Sequence, residues 1–446
     1  MNHVRPPRDI AIVGAGFAGV ACALAITQEL GPSVPNLKIR VFERSDYPST
    51  SGGAVNLTPV AQRHLTKLGV MQELNRMGTY GGADIDAVEV FSMNSARPIG
   101  SVDFRDRAGK SYCGFKGRRV MRVVLLTAMI AVAERANVKF VYSKKVIGGE
   151  EINDSAVVHF EDGTCSHADL VVGCDGVHSL TRTTWVDPDC PSEYSGMSFL
   201  QTTVDTNEIS SPLPCDSALH LSRYGSLITT YCDRDRERIF AAAIVQFTEE
   251  EIDCYRLKPG QDWDTRNRIK SSLRNQLQCR FRKSAEPCVK EIVHSDQEWM
   301  LYPVYLIRPG GRWCMNRVAL LGDAAHAMPP IYSSASYALD DAILFARVLA
   351  RYRLEPLYNV FDTYEKLRRD TVDNAFVESN RIWNRMKDRG SMDARVRDWK
   401  MASYLKHDSH KLQKTWNADA AMIPIPTPEA TGPLLSMQTF LRASVK

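Results

Sequence analysis

Three glycines, Gly14, Gly16 and Gly19, stand in the spacing G-x-G-x-x-G between a short apolar run (9–13) and a helix-forming one (18–30). Glycines so placed permit a tight turn and let backbone N–H groups reach a pyrophosphate at the helix N-terminus. Residues 37–43 alternate as a second strand and end on Glu43, a carboxylate suited to accept from ribose hydroxyls. An acid at that strand end favours an adenosine ribose without a 2′-phosphate. Two further stretches carry polar groups at strand ends. In 169–182, Asp175-Gly176 follows an apolar strand, with Ser179 and Arg182 beyond. In 317–330 (RVALLGDAAHAMPP), a strand runs into Gly322-Asp323, where a carboxylate can accept from a sugar-like hydroxyl and a helix end favours an anion. The first motif reads as a dinucleotide site; taken singly, each of the others is more often a turn.

Positioning these groups requires a β-α-β unit, which residues 9–43 supply at the usual size. Further along, 118–136 reads as a helix, and 138–142, 157–161, 168–174 and 318–321 as strands, with Asp162-Gly163 as a hairpin turn. Between 194 and 247 the period changes to two, the signature of an antiparallel sheet. Residues 336–352 and the charged stretch 357–406 are helix-forming. The expected fold is α/β (α+β overall): a Rossmann-like dinucleotide domain with an inserted antiparallel sheet and C-terminal helices. The expected segments are 1–190 and 301–352 for the dinucleotide domain, 191–300 for the sheet domain, and 353–446 for a helical region that packs on the first domain or forms a dimer contact.

The chain has 446 residues, enough for two or three folding units and a large core. Its 44% hydrophobic and 24% charged residues exclude a disordered or fibrous chain. A formal charge of +4 without a basic block argues against a nucleic-acid partner. Eleven cysteines, scattered and without a C-x-x-C pair, point to free thiols in a reducing compartment rather than to a metal site. No signal-peptide order and no long apolar window appear, so a cytoplasmic chain without a membrane span, monomeric or homodimeric, is expected.

The order of the three motifs resembles that of the single-component, class A flavoprotein monooxygenases, a family of aromatic hydroxylases. The resemblance runs from Ile10 to about Arg368. It is similar in particular to tetracycline-inactivating monooxygenases and related fungal enzymes in Glu43-Arg44, in the run Gly52-Gly53-Ala54-Val55-Asn56-Leu57, in Arg118 to Arg122 with the leucines that follow, and in Tyr364 to Arg368. The resemblance implies a glutathione-reductase-type FAD domain. Gly14, Gly16 and Gly19 would line the pyrophosphate, Glu43 the ribose and Arg44 the adenine side. Arg118 and Arg122 would reach the flavin side and Asp323 the ribitol, with Gly53, Asn56, Gly322 and Pro330 completing the cofactor set. Asp175 belongs to a stretch associated with both cofactors, which makes it architectural rather than catalytic. NAD(P)H would bind transiently, since no second G-x-G-x-x-G occurs, and reduce FAD. The reduced flavin would take up dioxygen as a C4a-hydroperoxide and pass one oxygen atom to a hydrophobic small molecule, a secondary-metabolite intermediate by family likeness.

The inserted sheet should supply the pocket. Gln201, His220, Arg223 and Tyr224 are its candidate catalytic residues, with Gln201 matching a substrate-contacting Gln of tetracycline-modifying relatives, and an Arg beside a Tyr suited to stabilise a phenolate. The alternative for all four is the solvent face of an amphipathic sheet. His326 reads as structural. One departure stands out: where the family usually carries a G-x-G-x-N run after Pro-Pro, residues 331–342 contain no glycine, and Ser336 takes the Asn position. Backbone amides of Ser334 and Ala335 would have to approach the flavin past Cβ atoms. That leaves open non-oxygenating chemistry (cyclisation, rearrangement or dehydrogenation), or a binding role with FAD lost and Tyr332 and Tyr337 filling the ring space.

Overall fold

A computed structural model describes residues 5–50, 52–105, 109–258, 260–331, 334–407 and 419–428. The apolar run Asp9–Val13 lies inside a six-stranded sheet of order Cys314–Met315, Val318–Leu320, Leu170–Gly173, Asp9–Val13, Lys38–Phe42, Lys139–Val141. From Val318–Leu320 onward every pair is parallel, with Ile10 level with both Leu170 and Ile39. Central parallel strands are covered on both faces, which is why Asp9–Val13 and Leu170–Gly173 read as unbroken apolar runs. Helices Phe17–Glu29 and Ser334–Arg351 pack against each other beside this sheet, and Arg122–Arg135 packs against the first of them.

Two glycines of the first turn are there for space. At Gly14, φ is +100° and an added Cβ would lie 2.6 Å from the Cys174 carbonyl oxygen. At Gly19 a Cβ would lie 2.0 Å from the Gly14 carbonyl oxygen, so the helix can sit this close to the turn only without a side chain.

A seven-stranded sheet has the order Met300–Leu306, Glu193–Asp205, Arg238–Gln246, Gly225–Tyr231, Ser217–Ser222, Ala87–Ser92, Pro98–Asp103. Strand alternation gives it two apolar faces. Leu200, Ala241, Ala243 and Val245 pack against the helices Trp263–Phe281 and Pro287–His294 through Leu273, Phe281 and Val289. Phe199, Ile228, Phe240 and Ala242 point the other way, towards the dinucleotide domain. A three-stranded ribbon, Ala54–Leu57, Gly117–Met121 and Ala83–Ile85, lies between the two sheets. The long helix Leu357–Asn384 ties the halves together: Val360, Phe361 and Tyr364 enter the core of the parallel sheet, while Ile382 and Trp383 join the cluster under the antiparallel one.

The fold class is the expected one, and the structure corrects its detail. Residues 118–121 are strand, and the helix begins only at Arg122. The strands Ala87–Ser92 and Pro98–Asp103 extend the inserted sheet although sequence reading assigned nothing to them; Ala87–Ser92 pairs parallel with Ser217–Ser222, a long-range pairing without a local signal. Residues 249–294, expected among sheet, hold three helices. The C-terminal helices pack on both sheets. Gly19→Val is expected to lower the unfolding free energy by about 3 kcal/mol, as overpacking of a closed site does, read by chemical denaturation; an unchanged midpoint would show that the turn has room.

Candidate active site

Between the antiparallel sheet and the dinucleotide domain lies a cavity in which about 220 Å³ is open to the centre of a water molecule. That is about fifteen to twenty times what one water requires, so the space is ligand-sized. Its sheet wall is apolar, from Phe199, Leu219, Ile228, Phe240, Ala242 and Ile244. The opposite wall is polar, from Gly53, Asn56, Arg119 and Arg122 on one side and Asp323 on the other, with Met328 and Pro330 beside it.

The first turn has the shape of a pyrophosphate cradle. Gly16 caps the helix Phe17–Glu29 without a side-chain hydrogen bond, so the first helical N–H groups keep no internal acceptor. No atom lies within 4 Å of the place a Gly16 Cβ would occupy. Glu43 holds the turn from below: the Ala15 N–H donates to its Oε2 at 2.9 Å and the Ser45 N–H to its Oε1 at 3.0 Å. Each oxygen retains a lone pair for a ribose hydroxyl. Arg44, next in the chain, is exposed.

The Gly322-Asp323 turn is fixed by a buried ion network. The Gly322 N–H donates to Asp341 Oδ2 at 2.9 Å, His326 Nε2 lies 2.6 Å from the same oxygen, and Arg368 Nε donates to Asp341 Oδ1 at 2.6 Å. Despite full burial, His326 and Arg368 hold the Asp341 carboxyl far below the usual carboxylate range. Asp323 stands open to the cavity while enclosed by protein; burial raises its carboxyl above the ordinary value, against the pull of His326 and Arg122. Arg122 stacks on the Phe17 ring at 4.6 Å. Asn56 lines the cavity, and both its amide atoms are buried without a partner. Orphaned polar atoms of this kind are costly unless a ligand meets them. The cradle, the open Asp323 and the unsatisfied Asn56 together fit FAD.

Of the expected catalytic residues, Gln201 alone lines the cavity, and its Oε1 accepts from the Gly53 N–H at 3.0 Å, pinning the ribbon to the sheet. His220 is on the wrong face: one step along from Leu219, it is fully buried, bonded to Thr229 Oγ1 at 2.9 Å, and stacked on Phe91. Arg223 and Tyr224 occupy the hairpin tip after Ser217–Ser222, where Arg223 stacks on Tyr224 at 4.3 Å and donates to Ser391 Oγ at 2.6 Å. Neither reaches the cavity.

Three further expectations concern the cofactor end. Arg118 points away from the cavity, its Nε donating to Asp84 Oδ1 at 2.7 Å and its Nη1 to Asn75 Oδ1 at 3.0 Å. Because 118–121 is strand, the neighbour Arg119 takes the inward position instead. Asp175 spends its carboxylate on its own turn, accepting from Ser179 Oγ at 2.5 Å and from the Thr181 N–H and Oγ1 at 3.0 Å. Tyr337 does not occupy the ring space: it lies on the helix Ser334–Arg351 with the Arg368 guanidinium 5.5 Å from its ring centre. Tyr332 is outside the described residues. Ser336, at the Asn position, bonds Thr58 Oγ1 at 2.7 Å. Sequence reasoning missed Arg119; the signal was the adjacent pair Arg118-Arg119, which on a strand must divide between two faces.

Burial alone pushes the His220 imidazole down to about 4. Unfolded histidine titrates near about 6.5, so the unfolded chain binds the extra proton between these values and stability falls there as the pH is lowered. The contribution of neutral His220 is complete above about pH 6.5 and declines by about 3 kcal/mol on reaching pH 4. Denaturant titrations across this window should show that slope in the wild type and its removal in His220→Gln; equal slopes would contradict it.

Residues 8–379 match the family model described as FAD binding domain. The 6-hydroxynicotinate 3-monooxygenase of Bordetella bronchiseptica is 25% identical over 382 residues, spanning 83% of this chain and 92% of that protein. The salicylate hydroxylase of Pseudomonas putida is 27% identical over 411 residues, spanning 86% and 87%. Among solved structures, Klebsiella pneumoniae HpxO complexed with FAD and uric acid superposes with a TM-score of 0.74 at 20% identity, covering 92% of this chain and 96% of that one, and so shares the fold. The chain belongs to the FAD-binding family of aromatic hydroxylases and monooxygenases, with FAD as its cofactor.

Proposed function

We propose that this protein is an FAD-dependent monooxygenase that uses NAD(P)H and O2 to hydroxylate or epoxidise a hydrophobic, ring-bearing small molecule, an intermediate of secondary metabolism. The observation that carries this reading is the two-sided cavity, with an apolar sheet wall facing a polar one in which Asp323 and Asn56 fit the cofactor. The relatives named above act on hydroxynicotinate and salicylate, which supports an oxygen-substituted aromatic substrate. Bound FAD supplies electron transfer from NAD(P)H and the activation of O2.

The chain's own residues have four tasks. The first turn and Glu43 hold the pyrophosphate and ribose, and Asp323 accepts from a ribitol hydroxyl. Phe199, Phe240 and Ile244 lay an aromatic body against the sheet and exclude water from it. Gln201 keeps Gly53 in place at the cavity edge through their hydrogen bond. Tyr302, directly opposite Phe199 in the neighbouring strand, and Tyr305 line the same cavity. Phe199, Leu219, Ile228, Phe240, Ala242 and Ile244 carry no titratable group, so the contribution of the sheet wall to the rate is positioning.

FAD-loaded protein should consume NAD(P)H and O2 in equal amounts when a suitable aromatic substrate is added, with one oxygen atom appearing in the product. Ala242→Phe, which fills the sheet wall, should lower kcat/KM at least about tenfold while FAD content is unchanged, a loss of about 1.4 kcal/mol in transition-state binding. Substrate-independent NAD(P)H consumption, or full activity of the filled variant, would contradict the assignment of the cavity.

A further inference from the structure

Five arginines are buried among the described residues: Arg118, Arg119, Arg182, Arg368 and Arg397. Four have partners that account for their burial. Arg118 has Asp84, Arg368 has Asp340 and Asp341, Arg397 has Asp398 and the Ser222 carbonyl, and Arg182 donates to the Cys190, Ala324 and Val177 carbonyls. Arg119 has one long contact, to Ser217 Oγ at 3.4 Å, and its Nε is buried without any partner. It is 7% exposed and lines the cavity. Desolvation lowers its guanidinium to about 10, which still leaves it a cation at neutral pH. A buried cation without an anion is costly, and native chains keep one where an anion arrives.

Its neighbours define where that anion would sit. Asn56 and Arg119 are directly opposed in the antiparallel ribbon, so both side chains project from one face. Both amide atoms of Asn56 are also unsatisfied. Arg119 therefore shares one rung of the ribbon with the Asn56 that fits FAD, in the lining of a cavity whose sheet wall is apolar. Phe240 and Ile228 begin that wall. A neutral hydrocarbon would leave the guanidinium as it is; a ring bearing a carboxylate, phenolate or enolate would satisfy it, and a planar oxyanion matches the guanidinium fork.

We propose that Arg119 is the specificity-determining residue of this site, binding an anionic oxygen group of the substrate while the hydrophobic body of that substrate lies on the antiparallel sheet. The inference rests on the monooxygenase reading for the word substrate, and on the cavity alone for the anion. The probes are 2-naphthoate and its neutral match 2-naphthamide, titrated by calorimetry into FAD-loaded protein, with released FAD measured in the same samples. The wild type should bind the acid at least about tenfold more tightly than the amide. Arg119→Gln should bring that ratio close to one with FAD content unchanged, and Arg119→Lys, which keeps the charge but loses the fork, should retain part of the preference. Equal affinities or no affinity for the acid in the wild type, or an undiminished preference in Arg119→Gln, would overturn the proposal. Loss of FAD from both variants would overturn it too, by giving Arg119 to the cofactor. Wild-type protein that takes up no FAD but still prefers the acid would instead count against the monooxygenase reading and leave the anion site standing.

Discussion

The Asp341 carboxylate is the contact on which the site depends. It lies on the helix Ser334–Arg351, is fully buried, and receives the Gly322 N–H, His326 and Arg368. Those partners come from the end of the parallel strand, from the short helix after it and from the long C-terminal helix. One carboxylate thus fixes the turn from which Asp323 faces the cavity, and docks the helix that links the two sheets. Removing one partner of such a network would strand a charge in the core, which is why the Gly-Asp-x-x-His stretch, Asp341 and Arg368 have to be present together. The reading of His326 as structural agrees with this geometry: its Nε2 is taken by Asp341, and Trp313 packs on its ring at 5.1 Å.

The cavity joins two kinds of sheet, and the division of labour follows from their periods. The parallel sheet is covered on both faces and offers ligands only its strand ends, which is where Gly14, Glu43 and Gly322-Asp323 are found. The antiparallel sheet sends alternate residues to each face. Arg238–Gln246 shows the rule in one strand, with Ala241, Ala243 and Val245 packed against helices and Phe240, Ala242 and Ile244 facing the cavity. The ribbon between them carries the polar wall. The Gln201–Gly53 hydrogen bond couples ribbon and sheet, so the polar and apolar walls are held in one geometry.

The dinucleotide end was legible because its signals are local: the glycines, the acid at the strand end and the Gly-Asp turn each lie within a few residues of the element that positions them. The substrate end was not, for three separate physical reasons. Extending the helix back to Arg118 hid the period of two that sends Arg118 and Arg119 to opposite faces. His220 lies in a strand buried on both faces, so polarity could not show which face it takes. Arg223 and Tyr224 occupy a hairpin tip, where two residues between strands point outward whatever their chemistry. After Pro330 the helix already begins at Ser334, and Ser336 is engaged by Thr58, so the helix start is held by a side-chain contact.

The cradle, the Asp341-fixed turn and the unsatisfied Asn56 form a working FAD site despite that altered segment. The most direct test is the visible absorption spectrum of the purified protein, with the released flavin identified and counted after denaturation. The account predicts flavin bands and close to one FAD per chain. A colourless protein that also fails to take up added FAD would contradict it.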